Sequence, residues 1–135
     1  MAAGKLETHE LVLAAEPTAP ATARRTAADF ARHQGAGPDV THAVELAVSE
    51  AVSNAVVHAY DDQPLGEVRL ELELTDDVLE IVVADAGKGM SPRPDSPGLG
   101  LGLPLIGRLA DSFDVRSDAG EGTELRMRFA LDRAA

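Results

Sequence analysis

The sequence predicts an α+β fold, a two-layer sandwich in which helices cover one face of a mostly antiparallel, mixed sheet. Three observations predict it. Apolar residues recur at helical spacing up to about residue 60, they alternate with polar ones from residue 68, and clusters of Gly, Pro and Asp separate the segments. With 135 residues and 44% hydrophobic side chains, the chain can bury one substantial core, so residues 1–135 are expected to form a single domain.

Residues 10–15 (ELVLAA) read as a short strand, broken by the segment 17–20 with a proline at each end. A helix is expected over 21–33, with Thr18 or Ala19 near its cap; Gly35, Gly37 and Pro38 end it and open the next. That second helix is expected over 39–60 and is the longest element, and the polar stretch 61–66 turns the chain. Val68, Leu70, Leu72 and Leu74 then alternate with Arg69, Glu71, Glu73 and Thr75, the pattern of a strand with one wet face. Asp76 and Asp77 make the turn into 78–84, a more uniformly apolar strand expected nearer the sheet centre. Residues 85–102 (DAGKGMSPRPDSPGLGLG) form a long irregular segment, and loops of that length in compact domains tend to be functional. A short helix over 103–109 and two alternating strands, at 113–117 and 125–131 with a turn at 118–122, complete the chain.

Composition closes off several functions. An aromatic content of 3% with no Trp leaves no stacking platform for bases, and a net charge of -11 repels a polyanion over most of the surface, so no nucleic-acid partner is expected. A protein partner, or a small anion neutralised by a metal, suits the charge better. Without Cys there is neither a disulfide framework nor a thiolate zinc site, and any metal is expected to be hard and oxygen-bound. The N-terminal stretch has acidic residues where a signal peptide needs an apolar run, and no segment approaches the ~18 apolar residues of a membrane span. A cytoplasmic protein with no membrane partner is the expectation.

Chemistry centres first on Glu50, Asn54 and His58, three polar side chains at four-residue spacing in the largely apolar AVELAVSEAVSNAVVHAY. That spacing puts them on one face of a helix. A carboxylate and a carboxamide so placed offer oxygen acceptors to a divalent ion, or orient a hydroxyl or a water, without bringing a cation. Alternatively the three face solvent while Val44, Val48, Val52 and Val56 face the core, as in any amphipathic helix. Ala43, Ala47, Ala51 and Ala55 flank the polar residues and widen the apolar surface, which favours a helix packed on two sides.

The run Gly98-Leu99-Gly100-Leu101-Gly102 is either a structural turn or a phosphate site, offering backbone N–H groups and a positive helix end where the next helix begins. Such a site uses no basic side chains, so even this acidic chain could hold a triphosphate shielded by a cation. The run is neither a Walker A loop nor a Rossmann fingerprint. Asp85, ahead of Gly87 and Gly89, is either a turn cap or a binding group at the floor of a cleft. In the second role a carboxylate, which accepts but does not donate, would take the amino group of adenine and reject the carbonyl of guanine.

Together these residues resemble the GHKL ATPase superfamily, with its Bergerat ATP-binding fold, and within it the small serine kinases that act as anti-sigma factors. Glu50 to Asn54 match the E-x-x-x-N box, Asp85 to Gly89 the D-x-G-x-G box, Gly98 to Gly102 the G-x-G-x-G box and Gly120 to Thr123 the late G-x-G-T, in order over nearly the whole chain. The resemblance implies ATP and Mg2+, with Asn54 as the Mg2+ ligand and Glu50 as the catalytic residue that orients the attacking hydroxyl or accepts its proton. It implies that Asp85 binds the adenine amine, that Thr123 assists around the base and that Gly87 and Gly89 shape the pocket. Leu99, Gly100 and Leu101 would then lie over the phosphates, with Gly98 and Gly102 also binding the nucleotide and residues 88–98 as an ATP lid. His58 is expected to pack or to support its neighbours. Arg108 either touches a phosphate or a partner, or is a solvated surface arginine.

The activity implied is that of a serine/threonine protein kinase acting as an anti-sigma factor, phosphorylating a small anti-sigma-factor antagonist, a STAS-domain protein. The unphosphorylated antagonist would compete with a sigma factor for the kinase, which is expected to be a homodimer. An acidic surface away from the pocket would favour a basic patch on the partner. The alternative is an ATP-binding regulatory module that controls a protein partner without phosphotransfer. A sensor histidine kinase would need a preceding helix pair for dimerisation and phosphoacceptance, and gyrase-like members a transducer domain; neither is expected here.

Overall fold

Period-two alternation becomes a five-stranded sheet of β1 (Glu7–Ala14), β2 (Glu67–Thr75), β3 (Val78–Asp85), β4 (Ser112–Asp118) and β5 (Gly122–Ala130), in the order β1-β2-β3-β5-β4. These elements come from a computed structural model, which describes residues 7–59, 66–86, 99–118 and 122–131. All four pairings are antiparallel. The uniformly apolar β3 is central, as expected. Its outer-face Val82 and Ala84 are buried, as are its inner-face Leu79, Ile81 and Val83.

Three helices, α1 (Ala19–His33), α2 (Pro38–Asn54) and α3 (Leu99–Leu109), share one apolar cluster with the inner face of the sheet. Alternation selects the inward strand residues: Val68, Leu70 and Leu72 from β2, and Leu125, Met127 and Phe129 from β5. Each large side chain fully buried there, Ile81 and Ile106 included, contributes about 1.5–3 kcal/mol relative to exposure. Helix α1 buries Ala19, Ala23, Ala27 and Ala31, a row at four-residue steps whose small side chains let α2 approach closely. Helix α2 packs on α1, α3 and the sheet, which accounts for its broad apolar surface.

Helix ends follow from Gly and Pro. Gly35 takes φ +92° just past α1, and the Ala36 N–H donates to the Ala31 carbonyl at 3.0 Å, a Schellman closure. Pro38 then opens α2 in its first turn, where a missing N–H costs nothing. The same reason lets α1 start at Ala19, two residues before the position expected, with Pro20 inside its first turn. Strand β1 extends back to Glu7 because its pairing with β2, Glu7 opposite Leu74, supplies the order that its polar sequence does not announce.

Two differences bear on function. Helix α2 does not stay α-helical: after Asn54 the segment Ala55–Ala59 winds as a π-helix, and Tyr60 lies outside the described residues. Helix α3 starts at Leu99, four residues earlier than expected, so the Gly/Leu run is helical despite a cost of about 1 kcal/mol per interior Gly. Gly107 has a packing reason: a Cβ there would come within 3.1 Å of the Phe113 ring, which β4 lays against α3.

Candidate functional site

Asn54 ends the α-helical part of α2 with its side chain inside the protein, only 8% of the residue being exposed. Its Nδ2 has no hydrogen-bond partner among the described residues. An unmet buried amide costs about 1–3 kcal/mol, so the chain carries a polar group whose natural complement is something other than its own core. A half-turn about the terminal bond exchanges nitrogen for oxygen, so the unmet position can present either a donor or a metal-ligating oxygen. Glu50 lies one turn earlier and is half-buried. The solvent-facing alternative therefore fails for Asn54. The π segment begins at the next residue, and such turns inside helices are frequent at functional sites. His58 falls within that segment.

A second group forms where β3 ends and β5 begins. Asp85 and Thr123 stand directly opposite each other in the antiparallel ladder. Strand alternation puts both on the inner face, in line with Ile81 and Val83 on one strand and Leu125 and Met127 on the other. Thr123 is buried and Asp85 half-buried. Their neighbour Gly122 takes φ +97°, and a Cβ there would sit 1.9 Å from the Asp85 carbonyl oxygen. Only glycine lets β5 start this close to the Asp85 backbone. Sequence reasoning does not single out Gly122, although the G-x-G-T motif contains it.

The third group is backbone. Leu99, Gly100, Leu101 and Gly102 form the first turn of α3 instead of a loop leading into it. The correction preserves the chemistry: the first four N–H groups of a helix have no partner within it and carry the positive end of the dipole. No acidic residue stands in that turn to occupy them. Pro104 is farther along the same helix, where its ring lacks a further N–H.

The elements that carry the second and third groups each pack against α2. Helix α2 packs against α3, β3 and β5, and the π segment against β3. Gly87, Gly89, Gly98 and the expected lid, residues 88–98, lie outside the described residues. Arg108 is exposed in the last turn of α3, about 13 Å along the axis from the first-turn donors, and reads as a surface arginine.

A rival concavity of about 560 Å³ opens on the opposite face of the sheet, lined by Glu10, Glu71, Glu73 and Glu80 with Arg126 as its one guanidinium. Arg126 is already within 3.5 Å of Glu80, so the lining repels a triphosphate. Among the described residues no group of three or more His, Cys, Asp or Glu could hold a metal. Mg2+ does not need one, since it keeps several waters and binds through one or two protein oxygens plus substrate phosphates, a demand that the Asn54 carboxamide fits. No described helix is long and apolar enough to cross a membrane.

Comparison with known proteins bears on the fold and the family. Residues 13–129 match the family model of the histidine kinase-like ATPase domain. The anti-sigma F factor of Clostridium beijerinckii is 34% identical over 116 residues, covering 78% of this chain and 81% of that protein. The serine-protein kinase RsbW of Bacillus velezensis is 35% identical over 126 residues, covering 82% and 79%. In a solved structure, the RsbU and RsbW domains of Rv1364c from Mycobacterium tuberculosis, the same fold recurs with a TM-score of 0.78 at 24% identity, over 96% of this chain. This chain spans 34% of that longer one. The chain belongs to the anti-sigma-factor kinase family of the histidine-kinase-like, or GHKL, ATPases.

Proposed function

We propose that this protein transfers the γ-phosphoryl group of ATP to a serine or threonine hydroxyl of a protein acceptor. The observation that carries the reading is Asn54, a buried carboxamide with an unmet end, one turn from a half-buried carboxylate and on a helix packed against the glycine-rich α3, whose first-turn N–H groups have no partner within the helix.

In this reading Asp85 accepts a hydrogen bond from the adenine amino group and Thr123 lines the same corner. The first-turn N–H groups of α3 donate to phosphate oxygens. Asn54 would hold Mg2+ through its side-chain oxygen. When bound, Mg2+ supplies neutralisation of the phosphate charge. Glu50 orients the acceptor hydroxyl and takes its proton as the Oγ–Pγ bond forms and the bond from Pγ to the β,γ-bridging oxygen breaks, releasing ADP. Catalysis rests on placement and electrostatics, because phosphoryl transfer asks for little covalent chemistry from the protein.

The relatives named as anti-sigma F factor and RsbW support a regulatory setting. The acceptor in this reading is an anti-sigma-factor antagonist of the STAS type, a sigma factor competes for the same kinase, and the kinase works as a homodimer. The test is Glu50→Gln. Labelled ATP should phosphorylate a candidate antagonist with the wild-type chain, while the variant binds Mg-ATP with unchanged affinity and transfers almost nothing. Ordinary turnover by the variant refutes the role of Glu50, and bound nucleotide without transfer by the wild type identifies a non-catalytic regulatory module instead.

A further inference from the structure

The described helices cover only the inner face of the sheet, yet on its outer face the central strand β3 carries Val78, Val82 and Ala84 beside a single carboxylate, Glu80. Val78 is 37% exposed, among the few large hydrophobic side chains left uncovered in the described residues. Glu80 is held by two guanidiniums of β5, Arg126 at 3.5 Å and Arg128 at 2.9 Å. The strands flanking β3 carry opposite charge patterns. Register aligns Glu73, Glu71 and Arg69 of β2 with Arg128, Arg126 and Glu124 of β5, across Glu80, Val82 and Ala84. In every one of these rows the outward residue on β2 has the opposite charge to the outward residue on β5, so the face is complementary to itself.

We propose that a second copy of this chain covers this face, related to the first by a dyad running along β3. Such a dyad lays β2 of one copy over β5 of the other and β3 over β3. Glu73 then faces the partner's Arg128, Glu71 the partner's Arg126 and Arg69 the partner's Glu124, and each contact occurs twice. On the axis Val78, Val82 and Ala84 meet their own counterparts, and each Glu80 is neutralised by the guanidiniums of its own sheet. Charge fixes the orientation, because a dyad across the strands through any of these rows would set its charged residues against themselves. Shape agrees with charge: the concavity of about 560 Å³ on this face is lined by Glu71 and Glu73, where the dyad brings the partner's Arg126 and Arg128. Twisted sheets pack about 10 Å apart with their strands rotated by about 30°. That rotation displaces positions one strand and one row from the axis by about 2–4 Å, less than the ~4.8 Å between strands, so the rows stay matched. The face measures about 24 Å by 26 Å, roughly 600 Å² in projection and more in accessible surface, on the order of the ~800 Å² that a standard interface takes from each partner. At the rim Glu10 faces the partner's Asp114, a like-charged contact that solvent screens. Both helix layers point outward in this dimer, which leaves each candidate nucleotide site open to a protein acceptor. The inference gives the homodimer of the proposed function a surface and a register, and it stands without phosphotransfer.

The experiment measures the mass of the full chain by sedimentation equilibrium, for the wild type and two charge-reversed variants. One variant carries Arg126→Glu and Arg128→Glu, the other Glu71→Arg and Glu73→Arg. The wild type should be a dimer at about micromolar concentration. Each variant alone opposes like charges in both rows and should raise the dimer Kd more than about a hundredfold. Mixed in equal amounts, the two variants again set opposite charges against each other on both sides of the dyad, so a heterodimer should form with a Kd within about tenfold of the wild type. Circular dichroism melts check that each variant is folded. Should reversal beside Glu80 unfold the first, Arg126→Glu alone mixed with Glu71→Arg alone reads the same contact from a single row. A monomeric wild type, variants that dimerise as the wild type does, or a mixture that stays monomeric overturns the proposal. Mg-ATP binding by the same samples belongs to the other layer and should be unchanged, so failure of the kinase reading registers separately from failure of the interface.

Discussion

Gly122→Ala is expected to cost both stability and nucleotide affinity, and a second glycine isolates the reason. At Gly122 the new Cβ meets two penalties. One is conformational, since an L-residue at φ +97° costs about 1–2 kcal/mol. The other is steric, because the Cβ falls 1.9 Å from the Asp85 carbonyl oxygen, 2.8 Å from the Asp85 carbonyl carbon and 2.8 Å from the Ala86 Cα. All three are backbone atoms, so no rotamer relieves the overlap, and β3 and β5 must part by about 1 Å, at a cost of about 1–3 kcal/mol. The sum, about 2–5 kcal/mol, corresponds to a drop in Tm of about 7–18 °C for a chain of this size. Gly35 has nearly the same φ, +92°, but nothing within 4 Å of its Cβ position, so Gly35→Ala should show the conformational penalty alone, about 1–2 kcal/mol and about 4–7 °C. Urea unfolding with linear extrapolation measures both. Calorimetry should show ATP affinity reduced about tenfold or more for Gly122→Ala, because Asp85 moves with its strand, and unchanged for Gly35→Ala. Equal destabilisation by the two substitutions would refute the argument that close approach to Asp85 is why residue 122 is glycine.

Other outcomes follow from the unmet buried groups. Replacing Asn54 with Leu removes a buried amide that lacks a partner, so unfolding free energy should hold or rise by about 1 kcal/mol while Mg-ATP affinity collapses; a variant that loses stability would mean the carboxamide serves the fold. Asn54→Ala should weaken Mg-ATP more than metal-free ATP in parallel titrations, and equal losses would argue against a metal ligand. Thr41, buried in α2 with its Oγ1 unpartnered among the described residues, gives a control far from any proposed chemistry: Thr41→Val should raise Tm by a few degrees and leave nucleotide binding untouched.

The fold was legible because alternation and helical spacing change so cleanly near residue 68. Val68 to Leu74 needed no tertiary information, and neither did the central position of β3, whose outer-face Val82 and Ala84 would be stranded on an edge. What sequence alone missed depended on context. The polar start of β1 is ordered by its pairing with Leu72 and Leu74, and the Gly/Leu run was read as loop because isolated glycines disfavour helix, whereas α3 gains its stability by packing on α2. The π segment carries no Gly or Pro to mark it. Of the candidate site residues, Asn54 and Glu50 stand out in the sequence through their spacing, and Asp85 through its place at the end of a buried strand. Gly122 was passed over because its requirement is a contact with a strand 37 residues earlier in sequence, Asp85, which periodicity cannot register.

The proposed function requires one cavity that joins the oxygen ligands of α2 to the backbone donors of α3. Amide NMR during titration with Mg2+ and a non-hydrolysable ATP analogue tests it most directly. The account predicts that the backbone amides of Leu99 to Gly102, the side-chain amide of Asn54 and the amide of Thr123 shift together with a single saturation curve, while the carboxylate-lined outer face of the sheet stays still. Saturable binding that moves the outer-face strands and leaves residues 54 and 99–102 unchanged would contradict it.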